Sequence, residues 1–360
     1  MQMFRFISVS VCLIIALSSC TRHPGRTEAA FYYWKNGPYH MNDPEKQAIK
    51  SCNVHHLYIK LFEVKPDPVF GAIPFAKQNL NWSEDLRYMS YGKDSLLLPY
   101  LEQVNIIPTV YITNSVFKNA RVSFLDSLSD NIVFLIKKRY SEKTGRPDSS
   151  LHEIQIDCDW TLSTKDRYFR LLKAVKARSG KKITCTLRLY PYKFPDKMGV
   201  PPVDRVSLMC YNLLSPYDEQ ERNSILDMDE LKKYLNGAAA YPLPLDVALP
   251  LFSWVHIYQH NRLVNMLPLD ENIREHLTKK EGLWYDVTSD LELDNIYLRP
   301  GDRVKIEDVT MHQLTDAINE IKSEVSLSEG ARIQLFHLDE TVLKQYRNEE
   351  IQSVFGAFTD

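Results

Sequence analysis

The chain has 360 residues, 44% hydrophobic and 25% charged, with a formal net charge of −2. This is the make-up of an ordinary globular protein, long enough for one large α/β barrel or two smaller domains. With a near-neutral balance and no extended basic run, the sequence gives no support to a nucleic-acid partner.

Residues 1–19 read as a lipoprotein signal peptide. Arg5 gives a weakly basic start, FISVSVCLIIAL is too short for a spanning helix, and LSSC sets Cys20 as the lipidated thiol. A plain secretory leader is the alternative. Residues 20–30, with TRHPGRTE, form a flexible tether, and 31–360 form a single domain. Acyl chains on Cys20 hold such a protein to a membrane surface. Thr21 is not a retention signal of the aspartate kind, so the expected place is the outer membrane of a Gram-negative envelope, on either face.

Eight β-rich runs follow: FYYW (31–34), HLYIKLFEV (56–64), NIIPTVYIT (105–113), HEIQIDCDW (152–160), KITCTLRLY (182–190), DRVSLMCYN (204–212), LDVALPLFSW (245–254) and RIQLFHLD (332–339). Helical stretches separate them, among them 124–145, 165–180, 228–238 and 310–324. Helices between strands imply parallel pairing, and eight such units predict a (β/α)8 TIM barrel; an open doubly wound sheet is the alternative. Residues 66–100 read as a long loop with little helix signal. Residues 255–307 read as an insertion holding a helix, then short strands with a PGD turn.

The strand faces support the barrel. Ile154, Ile156 and Cys158 share one face of the fourth strand, against Gln155, Asp157 and Asp159 on the other. Ile183, Cys185 and Leu187 likewise oppose Thr184, Thr186 and Arg188, and Val206, Leu208 and Cys210 oppose Ser207, Met209 and Tyr211. The apolar faces are expected against the helices and the polar ones inside. The cysteines fit no zinc spacing and read as small buried hydrophobes, with a disulfide from Cys52 left open.

A barrel of this kind keeps its site at the carboxyl ends of its strands. That selects Trp34, Glu63, Asn114, Asp157, Asp159, Arg188, Tyr190, Tyr211, Asn212, Trp254, His337 and Asp339. Paired carboxylates in unlike environments suit glycoside cleavage, one protonated as acid and one charged. Asp157 and Asp159 are close enough to repel, so one pKa is expected to rise. Two residues on one strand are close for flanking a glycosidic bond, so Glu63 or Asp339 is the expected partner. Arg188 neutralising the pair in a structural network is the plainer alternative. No metal or other cofactor is expected: His55-His56 begins a strand, and His256 and His260, which could share a helix face, lack the glutamate of HExxH. No GxSxG elbow, phosphate loop or dinucleotide fingerprint is present.

IDCDWT (156–161) resembles the DxDxE strand of family 18 glycoside hydrolases, the chitinase and endo-β-N-acetylglucosaminidase family. LMCYNL (208–213) is similar to that family's sixth-strand element, and ALPLFSW (248–254) to its seventh-strand segment. The resemblance implies that Asp157 and Asp159 precede the acid, that Met209 lines the pocket, and that Tyr211 helps hold the substrate's acetamido group with Asn212 beside it. It also puts Thr161 where the catalytic glutamate should stand, and FHLD (336–339) where the family has an eighth-strand tryptophan. FYYWK (31–35) and LYIKLFEV (57–64) further resemble a family of secreted bacterial barrel-like proteins without an assigned function. Three readings follow. One is an envelope enzyme acting on a glycan through Asp157, Asp159, Glu63 or Asp339, with Arg188 and His337 at the substrate. Another is an inactive glycan-binding barrel using Trp34, Tyr190, Tyr211 and Trp254 as platforms. The last is a structural envelope lipoprotein.

Overall fold

The computed structural model describes residues 27–37, 40–75, 77–90, 93–217 and 221–358; the signal peptide, Cys20 and Thr21 lie outside them. Eight parallel strands, Glu28–Tyr33, His56–Asp67, Asn105–Ile112, Glu153–Asp157, Lys182–Leu187, Arg205–Met209, Leu245–Pro250 and Arg332–Phe336, pair in chain order. The first pairs with both the second (Tyr32 opposite Tyr58) and the eighth (Phe31 opposite Leu335), so the sheet closes into a barrel. The doubly wound alternative is thereby excluded.

Helices cover the outside. Val122–Thr144 and Lys165–Ser179 each stop at a glycine in the left-handed region, Gly145 (φ 67°) and Gly180 (φ 66°), where a side chain would be strained. Met311–Glu324 starts with a capping box between Thr310 and Gln313, and Met228–Leu235 with Asp227 accepting from the Glu230 amide. The predicted apolar faces lie against these helices: Ile154, Ile156, Cys158, Ile183, Cys185, Leu187, Val206, Leu208 and Cys210 are all buried. Cys52, Cys158, Cys185 and Cys210 are free thiols, so the disulfide left open at Cys52 does not form.

The inward side chains stack in layers, as barrel interiors do. The fourth strand supplies one acid or amide to each. Glu153 meets Arg332 near the amino end. Gln155 sits in the middle, accepting from Thr109 Oγ1 and donating to Ser207 Oγ at 3.0 Å. Asp157 caps the stack, taking a 2.6 Å bond from Thr186 Oγ1. Gln334 joins the middle layer, donating to Ser207 and accepting from Tyr32 Oη.

Several strands end earlier than their β-rich runs. The fifth stops at Leu187 because a short helix, Leu189–Lys193, begins at once, so Tyr190 is helical. The seventh stops at Pro250, and Trp254 instead opens the first strand of the insertion. Residues 66–100 are more ordered than their composition implies. Gly71–Phe75 pairs back antiparallel on the second strand, and Trp82–Ser90 and Leu98–Gln103 are helices that bury Trp82, Met89 and Leu101. Single apolar anchors spaced among polar residues hid that amphipathic pattern.

The helix expected in the insertion is a single 3-10 segment, Glu271–His276, capped by Asp270, and no α-helix forms there. Trp254–Gln259 and Arg262–Pro268 form a hairpin whose turn residues, His260 and Asn261, have φ of 51° and 60°, the left-handed pair that suits a tight hairpin. His256 is therefore a buried strand residue and does not share a helix face with His260. With Leu277–Lys279, Trp284–Val287 and Arg303–Glu307 the hairpin makes a five-stranded sheet. That sheet has its own apolar core around Val255, Ile257, Val304 and Ile306.

Candidate functional site

The site follows from where each strand lets go of the sheet. Glu63, Tyr111 and Asp157 stand in register on the second, third and fourth strands. Two strand spacings of about 4.8 Å put the Cα atoms of Glu63 and Asp157 roughly 10 Å apart. In the second strand the register slips between Lys60 and Phe62, leaving Leu61 as an extra residue. This bulge turns both Lys60 and Glu63 inward although they are three apart, which regular alternation forbids. The Lys60 ammonium, 2% exposed, bonds the Glu63 carboxylate and lies 5.2 Å from the centre of the Trp34 ring.

The four candidate carboxyls have unlike surroundings. Burial, then the charge of Asp159, pushes the Asp157 carboxyl up from 3.8 to about 7, against the bond from Thr186. Asp159 is more than half exposed, with Arg188 Nε 3.7 Å from its Oδ1, longer than a hydrogen bond. The Arg188 guanidinium also donates to the Asn212 carbonyl. Asp339 caps the turn at 340–343 by accepting from the Thr341 amide, and Lys35 bonds it at 2.8 Å while also holding Glu45. Burial pushes Asp339 up, but the Lys35 bond and charge outweigh it and bring the net below the ordinary range. Beside it, burial lowers His337 to about 4, and its Nδ1 has no hydrogen-bond partner.

An aromatic floor joins these groups. Phe336, the last residue of the eighth strand, touches Trp34 (5.7 Å between ring centres), Tyr211 (5.2 Å) and Phe252 (5.7 Å). Phe252 in turn meets Trp254 at 5.6 Å, edge to face. Tyr211 is fully covered by this packing, so it is not an open stacking platform; Trp34 and Trp254 are half-buried and Tyr190 is 37% exposed.

Next to the floor lies an open groove of about 560 Å3, lined by Asp159, Thr161, Leu162, Arg188, Tyr190 and Lys197 among others. Trp160 also lines it, while packing on Tyr168 and Phe169. Thr161 stands in the turn before the helix at 165–179: its amide donates to Thr164 Oγ1, which donates to Asn114. Its own hydroxyl meets only Ser163 and Thr164.

The fold thus gathers Trp34, Glu63, Asp157, Asp159, Arg188, Tyr190, Asn212, Trp254, His337 and Asp339 at one end of the barrel. Sequence reasoning passed over Lys60, Tyr111, Phe336 and Lys197. Tyr111 and Phe336 were within reach, since alternation from the inward Thr109 and Gln334 predicts both. Lys60 was hidden by the bulge. Lys197 lies on a four-residue helix, Pro195–Met198, without a periodic signal. Among the described residues, no group of three or more His, Cys, Asp or Glu side chains could hold a metal.

No protein-family model matches the chain, and no curated protein matches its sequence. Solved structures do share its fold. The C-terminal domain of a putative chitinase from Desulfitobacterium hafniense superposes with a TM-score of 0.57 at 10% identity, over 93% of this chain and 100% of that one. The spore cortex-lytic enzyme SleL of Bacillus cereus gives 0.55 at 16% identity, over 94% of this chain and 75% of that one. SleL of Bacillus megaterium gives 0.54 at 12%, over 92% and 75%. At these identities the likeness is one of fold.

Proposed function

We propose that this barrel binds a glycan at its carboxyl end and lacks the proton donor of the hydrolase family its fourth strand resembles. The observation that carries the reading is the state of the carboxyls around the mouth. Glu63 is engaged by Lys60, Asp339 by Lys35, and Asp159 stands beside Arg188. Two residues beyond Asp159 the groove offers only the Thr161 hydroxyl, and an alcohol is no proton donor near neutral pH. The barrel shape shared with SleL and the putative chitinase domain supports a carbohydrate as the ligand class, by analogy of fold. Trp34, Tyr190 and Trp254 offer ring faces for sugar stacking.

A second reading, hydrolysis, is favoured by Asp157 alone. A carboxyl at about 7 is matched to general acid work. Glu63 stands in register two strands away and is the carboxylate that would pair with it. The two readings separate in one experiment: affinity for N-acetylated and other oligosaccharides measured beside release of sugar. Affinity without turnover supports the binding barrel. Turnover that vanishes in Asp157→Asn supports the hydrolase. Neither affinity nor turnover overturns both and favours a structural envelope role. The LSSC signal further supports attachment to a membrane through Cys20; Cys20→Ala is expected to move the protein from the membrane fraction to the soluble one.

A further inference from the structure

We propose that the groove beside the barrel mouth selects glycans carrying a carboxylate, with Lys197 as the anchor for that charge and Arg188 adding to the positive field around it. The inference rests on the glycan-binding reading and adds the charge class of the ligand. Among the side chains lining the groove, two are cationic, Arg188 and Lys197, against one carboxylate, Asp159. A third cation stands at the edge, since Lys165 Nζ reaches the Lys197 carbonyl at 3.5 Å. This local excess of positive charge sits on a chain whose formal net charge is −2. It therefore belongs to the groove and is not the overspill of a basic protein.

Neither groove cation is used up. The mouth's other cations, Lys60 and Lys35, are held directly against carboxylates. Arg188 approaches Asp159 only to 3.7 Å, and its one hydrogen bond goes to the Asn212 carbonyl. Lys197 is exposed, and its ammonium donates at 2.9 Å to the Tyr190 hydroxyl while lying 5.6 Å from that ring's centre. An ammonium has three donors, so at least one remains for a ligand. Tyr190, with Leu162, Pro191 and Met198 around it, supplies the apolar surface on which a sugar ring rests. Asp159 repels an anion placed directly over Arg188. The ligand's carboxylate therefore belongs on the Lys197 side of Tyr190, within reach of a charge-assisted hydrogen bond.

The test uses the mature chain on an array in which uronic-acid oligosaccharides are paired with the same oligosaccharides after carboxyl reduction. The acidic member of a pair is expected to bind about tenfold more tightly, the worth of one hydrogen bond to a charged group. Lys197→Met should erase that preference, bringing the acidic and reduced members of each pair to equal affinity. Asp159→Asn should enlarge it. Added salt should weaken the acidic member alone. Equal binding of acidic and reduced members overturns the charge selection while leaving glycan binding intact. Binding to no member overturns both. Thermal unfolding of Lys197→Met checks that the exposed site is not needed for folding.

Discussion

At the amino end of the barrel Arg332 grips Glu153 through two bonds of 2.6 and 2.9 Å and donates a third, of 2.7 Å, to the Tyr58 hydroxyl. Asp246, with no exposure at all, takes Arg205 Nη1 at 2.6 Å and the Arg332 amide at 2.8 Å. At the carboxyl end Asp157 has a threonine hydroxyl for its partner, and Asp159 and Arg188 stand 3.7 Å apart in the open. One end closes its charges on each other; the other does so at Lys60–Glu63 and Lys35–Asp339 but leaves Asp157 without a bonded cation and Asp159–Arg188 loosely matched. The same strands thus carry a lock below and a receptive surface above, the division of labour expected between the two faces of such a barrel.

The sharpest way to break this contrast is to cut the lock. Arg332→Met leaves Glu153 buried without its cation, and a loss of about 3–5 kcal/mol is expected in urea unfolding. A loss under about 1 kcal/mol would mean that the amino end is not held by this pair.

Asp157→Asn should act with the opposite sign. The folded carboxyl, at about 7, lies above its ordinary 3.8, so the folded state holds a proton that the unfolded state has released between those values. Native stability therefore falls as pH rises through that window. The amide removes the penalty, giving a gain of order 2 kcal/mol near pH 8, after allowance for the open mouth, and none near pH 4. Paired denaturation curves at the two pH values check this.

His337 works from the acid side. Its folded value, about 4, lies below its ordinary 6.5, so stability is lost as pH falls from 6.5 towards 4. His337→Gln should flatten that slope by about 1 kcal/mol, read from the same curves at pH 4 and 7. The smallest effect belongs to the carboxyl end's loose pair. Arg188→Met is expected to shift stability by less than about 0.5 kcal/mol while weakening glycan affinity. A large destabilisation there would make Arg188–Asp159 a second lock and remove the contrast.

The eight-stranded plan was legible because period-two alternation is a local signal. Ile154 and Ile156 outward with Gln155 and Asp157 inward needs no knowledge of any other strand. The ends of strands were less legible. HEIQIDCDW runs on in β-forming residues, yet the chain leaves the sheet at Asp157, because the next loop has to turn Trp160 back onto the helix at 165–179. The candidate carboxyls were found from their place at those ends. Arg188 was foreseen beside Asp159, but Lys60 and Lys35 were not: an ion pair such as Lys35–Asp339 joins the segments just after the first and eighth strands, far apart in the sequence. Lys60 shows the limit most clearly. A single extra residue at Leu61 reverses the facing of everything after it, and no composition marks the slip.

The middle layer of the interior has a consequence for how the chain is made. Gln334 donates to Ser207 and accepts from Tyr32, 302 positions away. Until residue 334 has left the ribosome, the inward polar groups of the earlier strands lack their last partner. They must stay hydrated rather than collapse into a dry half-barrel. Closure then waits for the eighth strand, and a chain released before it is one that proteases and chaperones should find open.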